Sequence, residues 1–500
     1  SRREWYQLAW CHGEKGNHEL ALEYYKKNLE VNDNFDESGS YAIGYELEKL
    51  DRKKEARDWY NQELLKYPEN TQMLTALAFL SREFGDHDES IKNWDKISEI
   101  TPNNQWIPFR KSADLINQNK LEESLECVEK ILTADKQEDS PSKAILMNQK
   151  GWILYKMKKY EESMEWIEKS LSIEPKLANT IDSKAEVLFT QEKYDEAEKA
   201  YQELFEIEKS DIAEQGIADC KRCRGNQIKN DDELKKKYYE EAIKIYDSIL
   251  KKNKTDDYAW YSKGLCYWNL EKYEDSRNCQ LEAVKIDPKD ITYWNELGDI
   301  AKITNKHDQA MLCFDKSIEI SPNNYAFVEK GNILYDQKQY EKAASQYDQA
   351  LKIEVTTDKL IMKADALYMS ARKNTENYSL GDALDCYVEA LKRDPENSDA
   401  LGGKGNTLRE MKKYDDAVTS LNQSIKIDPE NYWTYKIKFS TYNEMKNYQD
   451  AINMENTMLE KFPDEEEHIL NLMMNLYKDS GNEIKVKEYE EKIQKLKDLK

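Results

Sequence analysis

The stretch KGNILYDQKQYEKAASQYDQALKIE, residues 330–354, decides the fold. It sets Gly331 and Ala343 12 residues apart, with the polar run DQKQ at 336–339 between them. The same frame returns as KGWILYKMKKYEESMEWIEKSLSIEP (150–175), KGLCYWNLEKYEDSRNCQLEAVKIDP (263–288) and KGNTLREMKKYDDAVTSLNQSIKIDP (404–429). Two antiparallel helices approach closely only where side chains are small. Each unit therefore reads as helix, polar turn, helix, with Gly331 and Ala343 at the point where the two backbones nearly touch. The aromatics after the turn and on the second helix, Tyr340 and Tyr347 here, fill the space around them. The closing proline stops the second helix, because it lacks the N–H that would continue it.

Working outward, the small pair recurs at Ala9/Ala21, Gly44/Ala56, Ala78/Ser90, Ser112/Ser124, Gly151/Ser163, Ala185/Ala197, Gly264/Ser276, Gly298/Ala310, Gly331/Ala343 and Gly405/Ala417. Phe439/Ala451 keeps the spacing with a ring in the first slot. Gly216/Ala242 and Ala364/Ala383 read as the same unit with residues inserted near 224–237 and 371–381. Both insertions are close to whole helical turns, so they are expected to lengthen the hairpin without breaking the stack. This makes 13 units. Pro68/Pro102, Pro288/Pro322, Pro395/Pro429 and Pro429/Pro463 each lie 34 residues apart.

Composition agrees with a repeat array. Of 500 residues, 39% are hydrophobic and 35% charged, with only 16 Gly and 10 Pro, so one large globular core is disfavoured and an all-helical array favoured. The net charge of −23 disfavours nucleic acid and anionic membranes as partners. The opening SRREWYQLAW enters a helical pattern at once and does not read as a signal peptide, and no long apolar run spans a membrane. The eight scattered cysteines suggest a reduced, cytoplasmic protein.

No enzyme chemistry is legible. The five His fall in different units without metal spacing, and Cys220/Cys223 is a single CxxC without a partner pair. The run GGKGNT at 402–407 lacks both phosphate-loop spacing and a preceding strand. No catalytic residue, metal site or cofactor is expected.

The period of 34, the small pair, the aromatics and the closing proline resemble the tetratricopeptide repeat (TPR) family over about residues 2–465. The resemblance implies an all-α, right-handed α-solenoid of about 13 hairpins, with first helices lining a concave groove and second helices on the convex back. Units 1–4 would occupy 1–135, a polar linker 136–143, units 5–13 residues 144–465, and a C-terminal capping helix pair 466–500.

The groove face comprises the residues three before, one after and four after the first small slot, which share one side of the helix. The candidate peptide-binding residues are Tyr6, Trp10, Tyr41, Tyr45, Phe79, Phe109, Trp152, Tyr155, Asp182, Glu186, Phe189, Tyr261, Trp268, Asp299, Asn332, Tyr335, Asp365, Tyr368 and Asn406. Rings with carboxylates between them suit an extended peptide bearing basic and apolar side chains. The expected function is a non-enzymatic scaffold that binds peptides or partner proteins there. The alternatives are a structural spacer working through its ends or convex face, or the targeting arm of a larger enzyme.

Two family subtypes are excluded by residue. The carboxylate clamp of chaperone-binding TPRs needs Lys three before and Asn one after the slot, but Asn406 follows Gly402 and Lys436 precedes Ser440. The asparagine ladder of glycosyltransferase-type TPRs is missing too, Arg110 standing at one of its places. Instead Lys occupies the place just before the slot at 111, 150, 184, 263, 330, 363, 404 and 438. In so acidic a chain these lysines are expected to pair with carboxylates of neighbouring units.

Overall fold

The computed structural model describes residues 2–30, 36–134, 140–373 and 378–499. Among these the regular elements are α-helices and one short 3-10 turn, Pro463–Glu465. The helices pair into antiparallel hairpins in chain order, from Arg2–Glu14 with His18–Glu30 to Glu466–Asp479 with Glu483–Leu499. The chain divides into two compact units, Ser1–Lys254 and Thr255–Lys500. The first holds hairpins one to seven and the second holds the rest. Each is an all-α solenoid in which a hairpin's second helix packs on the first helix of the next. Of the expected linker, residues 136–139 lie outside the described residues. Helices Leu121–Thr133 and Lys143–Lys156 on either side pack together within the first unit.

The small slots pack as pairs. Ser124, Ser163 and Ser276 each donate Oγ to the carbonyl of their partner slot, Ser112, Gly151 and Gly264, at 2.8, 2.7 and 2.9 Å. What presses on the first slot is chiefly a side chain. A Cβ on Gly331 would lie 2.4 Å from the Tyr347 ring, one on Gly298 2.6 Å from Phe314, and one on Gly44 2.2 Å from Tyr60. In each case the intruder sits four residues after the second slot of the same hairpin. The backbone approach inferred from the spacing is thus mainly an approach of helix to ring.

That register corrects the seventh hairpin. Tyr246, four after Ala242, donates to Asp219 at 2.7 Å, as Tyr347 does to Asn332 one residue after its slot. The first slot is therefore Ala218, which is fully buried. Gly216 instead makes room for Tyr201 of the preceding hairpin, just as Gly403 makes room for Tyr387. The insertion lengthens both helices, Asp211–Gln227 and Asp232–Lys252, and the stack continues. At the second insertion the first helix runs on to Arg372; residues 374–377 are outside the described residues.

The turns repeat as closely as the slots. Seven residues after the first slot, the backbone turns left-handed at Asp51, Asn119, Lys158, Glu192, Glu271, Asn305, Lys338, Lys412 and Lys446, and at Gly16 and Gly85. Only the two inserted hairpins lack this residue. Gly481 has it as well, seven after Met474. The C-terminal pair is thus a further hairpin of the same geometry, with Met474 and Val486 in place of small residues. Where Phe439 fills the first slot, the second helix is broken into Tyr448–Asn453 and Glu455–Lys461.

Four of the eight lysines in the row are paired with a carboxylate of the preceding hairpin. Lys111 meets Asp95 at 2.5 Å, Lys150 meets Glu129 at 2.6 Å, Lys363 meets Asp348 at 2.6 Å, and Lys330 meets Asp315. Each carboxylate stands five residues after the second slot of the preceding hairpin. For Lys404 and Lys438 that place holds Val388 and Asn422, so the chain offers no counter-charge there.

Candidate functional site

The residues one after the first slot face away from the hairpin core, yet several are tied to it from beneath. Tyr347 donates to Asn332 and Tyr201 to Glu186, both at 2.8 Å, and Tyr387 donates to Asp365. The second-helix tyrosine thus fills the slot with its ring and fixes the neighbouring polar group with its hydroxyl. Burial pushes the Asp365 carboxyl up to about 6, against the opposing effect of the Tyr387 hydrogen bond. Asp182 is likewise pushed up to about 6 by burial and then by Glu186, and its Oδ1 is buried without a partner. Burial also raises Asp299, which accepts from Tyr325 at 2.5 Å. Beside it Glu296, which the spacing argument did not select, is pushed up to about 7 by burial and by Asp299.

In the second unit, four of the expected residues come together. Tyr335, Asp365, Tyr368 and Asn406 line one cavity of about 700 Å³ with Ile361, Met369, Arg372, Asp399, Arg409, Trp433, Lys436 and Ile437. The first helices Asn324–Asp336, Thr357–Arg372, Ser398–Glu410 and Tyr432–Glu444 supply these side chains. Part of the wall is a fixed network. Asn406 Nδ2 donates to Tyr368 Oη at 3.0 Å, and Arg409 donates to Asn406 Oδ1 at 3.1 Å and to Glu410 at 2.7 Å. Tyr368 and Asn406 are consequently only 7% and 9% exposed, which makes them supports more than contact surface. Trp433 is 45% exposed, and Lys436 has no ion-pair partner among the described residues. The wall is therefore mixed in charge, where the spacing argument had expected rings and acids. Arg372 was missed because it lies on the extended helix of an inserted hairpin. Lys436 was missed because its hairpin carries Phe439 in its slot, and Trp433 because it lies six residues before that slot, outside the three positions used for the groove face.

In the first unit the aromatic stripe divides. Trp10, Tyr45 and Phe79 are exposed. Trp152 and Tyr155 lie together at 5.0 Å with Lys156 over both. Tyr6 and Tyr41 pack on the core of the first hairpins, Phe109 on that around Val128, and Phe189 on that around Ala185. In the second unit Tyr261 packs against Tyr293 at 5.1 Å and Trp268 edge-on to Tyr273 at 5.6 Å.

Among the described residues no group of three or more His, Cys, Asp or Glu is placed to hold a metal ion, and no helix is long and apolar enough to cross a membrane. Burial raises the thiols of Cys220 and Cys223, which disfavours the thiolate that redox work would need.

Comparison with known proteins agrees with this geometry. Tetratricopeptide repeat family models match residues 3–35, 144–177, 231–291, 325–354 and 386–419. A model described as the CABIN1 N-terminal domain matches 267–336. Anaphase-promoting complex subunit 3 of Schizosaccharomyces pombe is 28% identical over 23% of this chain and 18% of its own length. Hsp70-Hsp90 organizing protein 3 of Arabidopsis thaliana is 24% identical over 51% of this chain and 42% of its own. The chain thus spans under half the length of either relative. A chain of the APC/C hetero-tetramer Cut9–Hcn1 aligns over 95% of this chain and 96% of its own, at 13% identity and a TM-score of 0.40. With the family matched at five separate segments and the same slot, ring and turn in hairpin after hairpin, the chain is a tetratricopeptide repeat protein.

Proposed function

We propose that the chain is a non-enzymatic scaffold that holds an extended peptide segment of a partner protein against its first helices, in the cavity of the second unit. The observation that carries this reading is the cavity itself. Four successive first helices surround it, with an exposed Trp433, an uncommitted Lys436, the acids Asp365 and Asp399, and apolar Ile361, Met369 and Ile437. An extended peptide offers backbone donors and acceptors to such mixed polar groups and an apolar anchor to the tryptophan. The names of the relatives, an organizing protein and a complex subunit, agree with a scaffold. Without the Lys and Asn of a carboxylate clamp in consecutive hairpins, the acidic tails of chaperones are not the expected ligand.

The test is to pan displayed random dodecapeptides against the full chain and against the Trp433→Ala/Lys436→Ala variant, with melting curves to show that the variant is folded. The expected result is a class of peptides whose affinity falls about 10-fold or more in the variant. If the full chain selects no peptides, or only peptides the variant binds equally well, the reading is wrong.

A further inference from the structure

A second site is built into the first unit around Arg110. This side chain projects from helix Trp106–Asn117 onto two rings, with its guanidinium carbon 5.3 Å from the centre of Phe79 and 5.8 Å from that of Trp94. A guanidinium carries five donors in a rigid fork. Yet Arg110 donates no side-chain hydrogen bond and forms no ion pair among the described residues. Its neighbour Arg82 is the opposite case. Arg82 holds Asp114 through two bonds of 2.7 and 2.6 Å and also donates to the Arg110 carbonyl at 3.0 Å. Asp114 is then fully used, since it also accepts from Ser90 at 2.8 Å and Trp94 at 2.9 Å and meets His87 at 3.1 Å. Nothing in this cluster answers Arg110. Burial and the charge of Arg82 both lower its proton affinity, the sign of a cation without an anion. In a chain of net charge −23, leaving this guanidinium unanswered is a conspicuous omission.

We propose that Arg110, with the exposed face of Phe79, is a subsite for a carboxylate side chain, aspartate or glutamate, that lies beside an apolar residue in a bound peptide. The charge count selects a carboxylate over a phosphate. Arg82 and Arg110 contribute two positive charges and Asp114 one negative, so the cluster is left with one charge to neutralise, and a dianion would exceed it. Planarity agrees, because a carboxylate takes two parallel bonds from a guanidinium edge. Phe79, 41% exposed, gives the neighbouring apolar side chain a surface. The subsite stands two residues before the small slot Ser112, outside the positions of a carboxylate clamp. That the ligand is a peptide rests on the reading proposed above, while the subsite itself lies in the other unit.

The same panning distinguishes the two. Against the full chain, peptides with an acid next to an apolar residue should form a separate class. Arg110→Gln should weaken that class about 10- to 100-fold while Trp433→Ala/Lys436→Ala leaves it intact. Arg110→Lys, which keeps the charge and loses the fork, should fall between. Melting curves of both variants control for folding. If Arg110→Gln binds acidic peptides as well as the full chain does, or if no acidic class is selected, the subsite is disproved, even where peptides that depend on Lys436 persist. A phosphoserine in place of the acid that binds more tightly would overturn the choice of a carboxylate.

Discussion

At the scale of single residues, each slot is defined by what it makes room for. Gly331 is small because the buried ring of Tyr347 needs the space, and that ring has no flexible end to move aside. Gly331→Ala is therefore expected to cost about 1–3 kcal/mol in chemical denaturation. A cost near zero would mean that the ring can shift. The acid beside the slot gives a second test. Asp365 has its proton affinity raised to about 6, above the usual unfolded value of about 4. The native state then binds the extra proton between these values, so this group lowers stability as pH rises through that window, and the penalty is complete above about pH 6. Asp365→Asn keeps an acceptor for Tyr387, as Asn332 does for Tyr347. It should stabilise the chain at pH 8 by about 1–2 kcal/mol and much less near pH 4. An equal effect at both pH values would contradict the assignment. This scale also shows what the spacing of small residues conveys. A glycine shows that room is needed without naming the intruder: Gly216 has the look of a slot in the sequence, but it makes room for Tyr201, and Tyr246 sets the register at Ala218.

At the scale of the hairpin, the recurring turn and the lysine row set the geometry between elements. A lysine stands in the left-handed turn position at 338, where glycine has no steric penalty. Lys338→Gly should raise stability by roughly 0.5–1 kcal/mol, read as a higher denaturation midpoint. The lysine row predicts a gain of another kind. Lys438 lacks its carboxylate because Asn422 stands where the preceding hairpin elsewhere supplies an acid. Burial lowers its proton affinity. Asn422→Asp restores the pair and should stabilise by about 0.2–1 kcal/mol at low salt, with the gain fading in 1 M salt. A gain that persists at high salt would point to something other than the ion pair. The pairing was legible in outline from lysine placement and acidity. The rule that the acid sits five residues after the preceding slot became visible only once consecutive hairpins were packed.

At the scale of the molecule, the repeat was legible almost completely, because helix crossings restrict residue type and the restriction recurs with the period. Thirteen hairpins and a C-terminal pair follow from slots, turns and prolines. For the face proposed to bind, the sequence conveys which side chains leave the core and little more. Face periodicity finds side chains that leave the core, and it brought Tyr335, Asp365, Tyr368 and Asn406 to one cavity. It does not show which of them are used up by internal bonds, as Asn406 is, nor which cations arrive from neighbouring hairpins, as Lys436 does. The proposed function places a peptide on the first helices of the second unit. The most direct test is hydrogen–deuterium exchange of the full chain with and without a peptide from the Lys436-dependent class. Added protection is expected in Thr357–Arg372, Ser398–Glu410 and Tyr432–Glu444, with the second helices Leu380–Arg393 and Tyr414–Ile427 unchanged. Protection centred on those second helices, with the first helices unaltered, would contradict it.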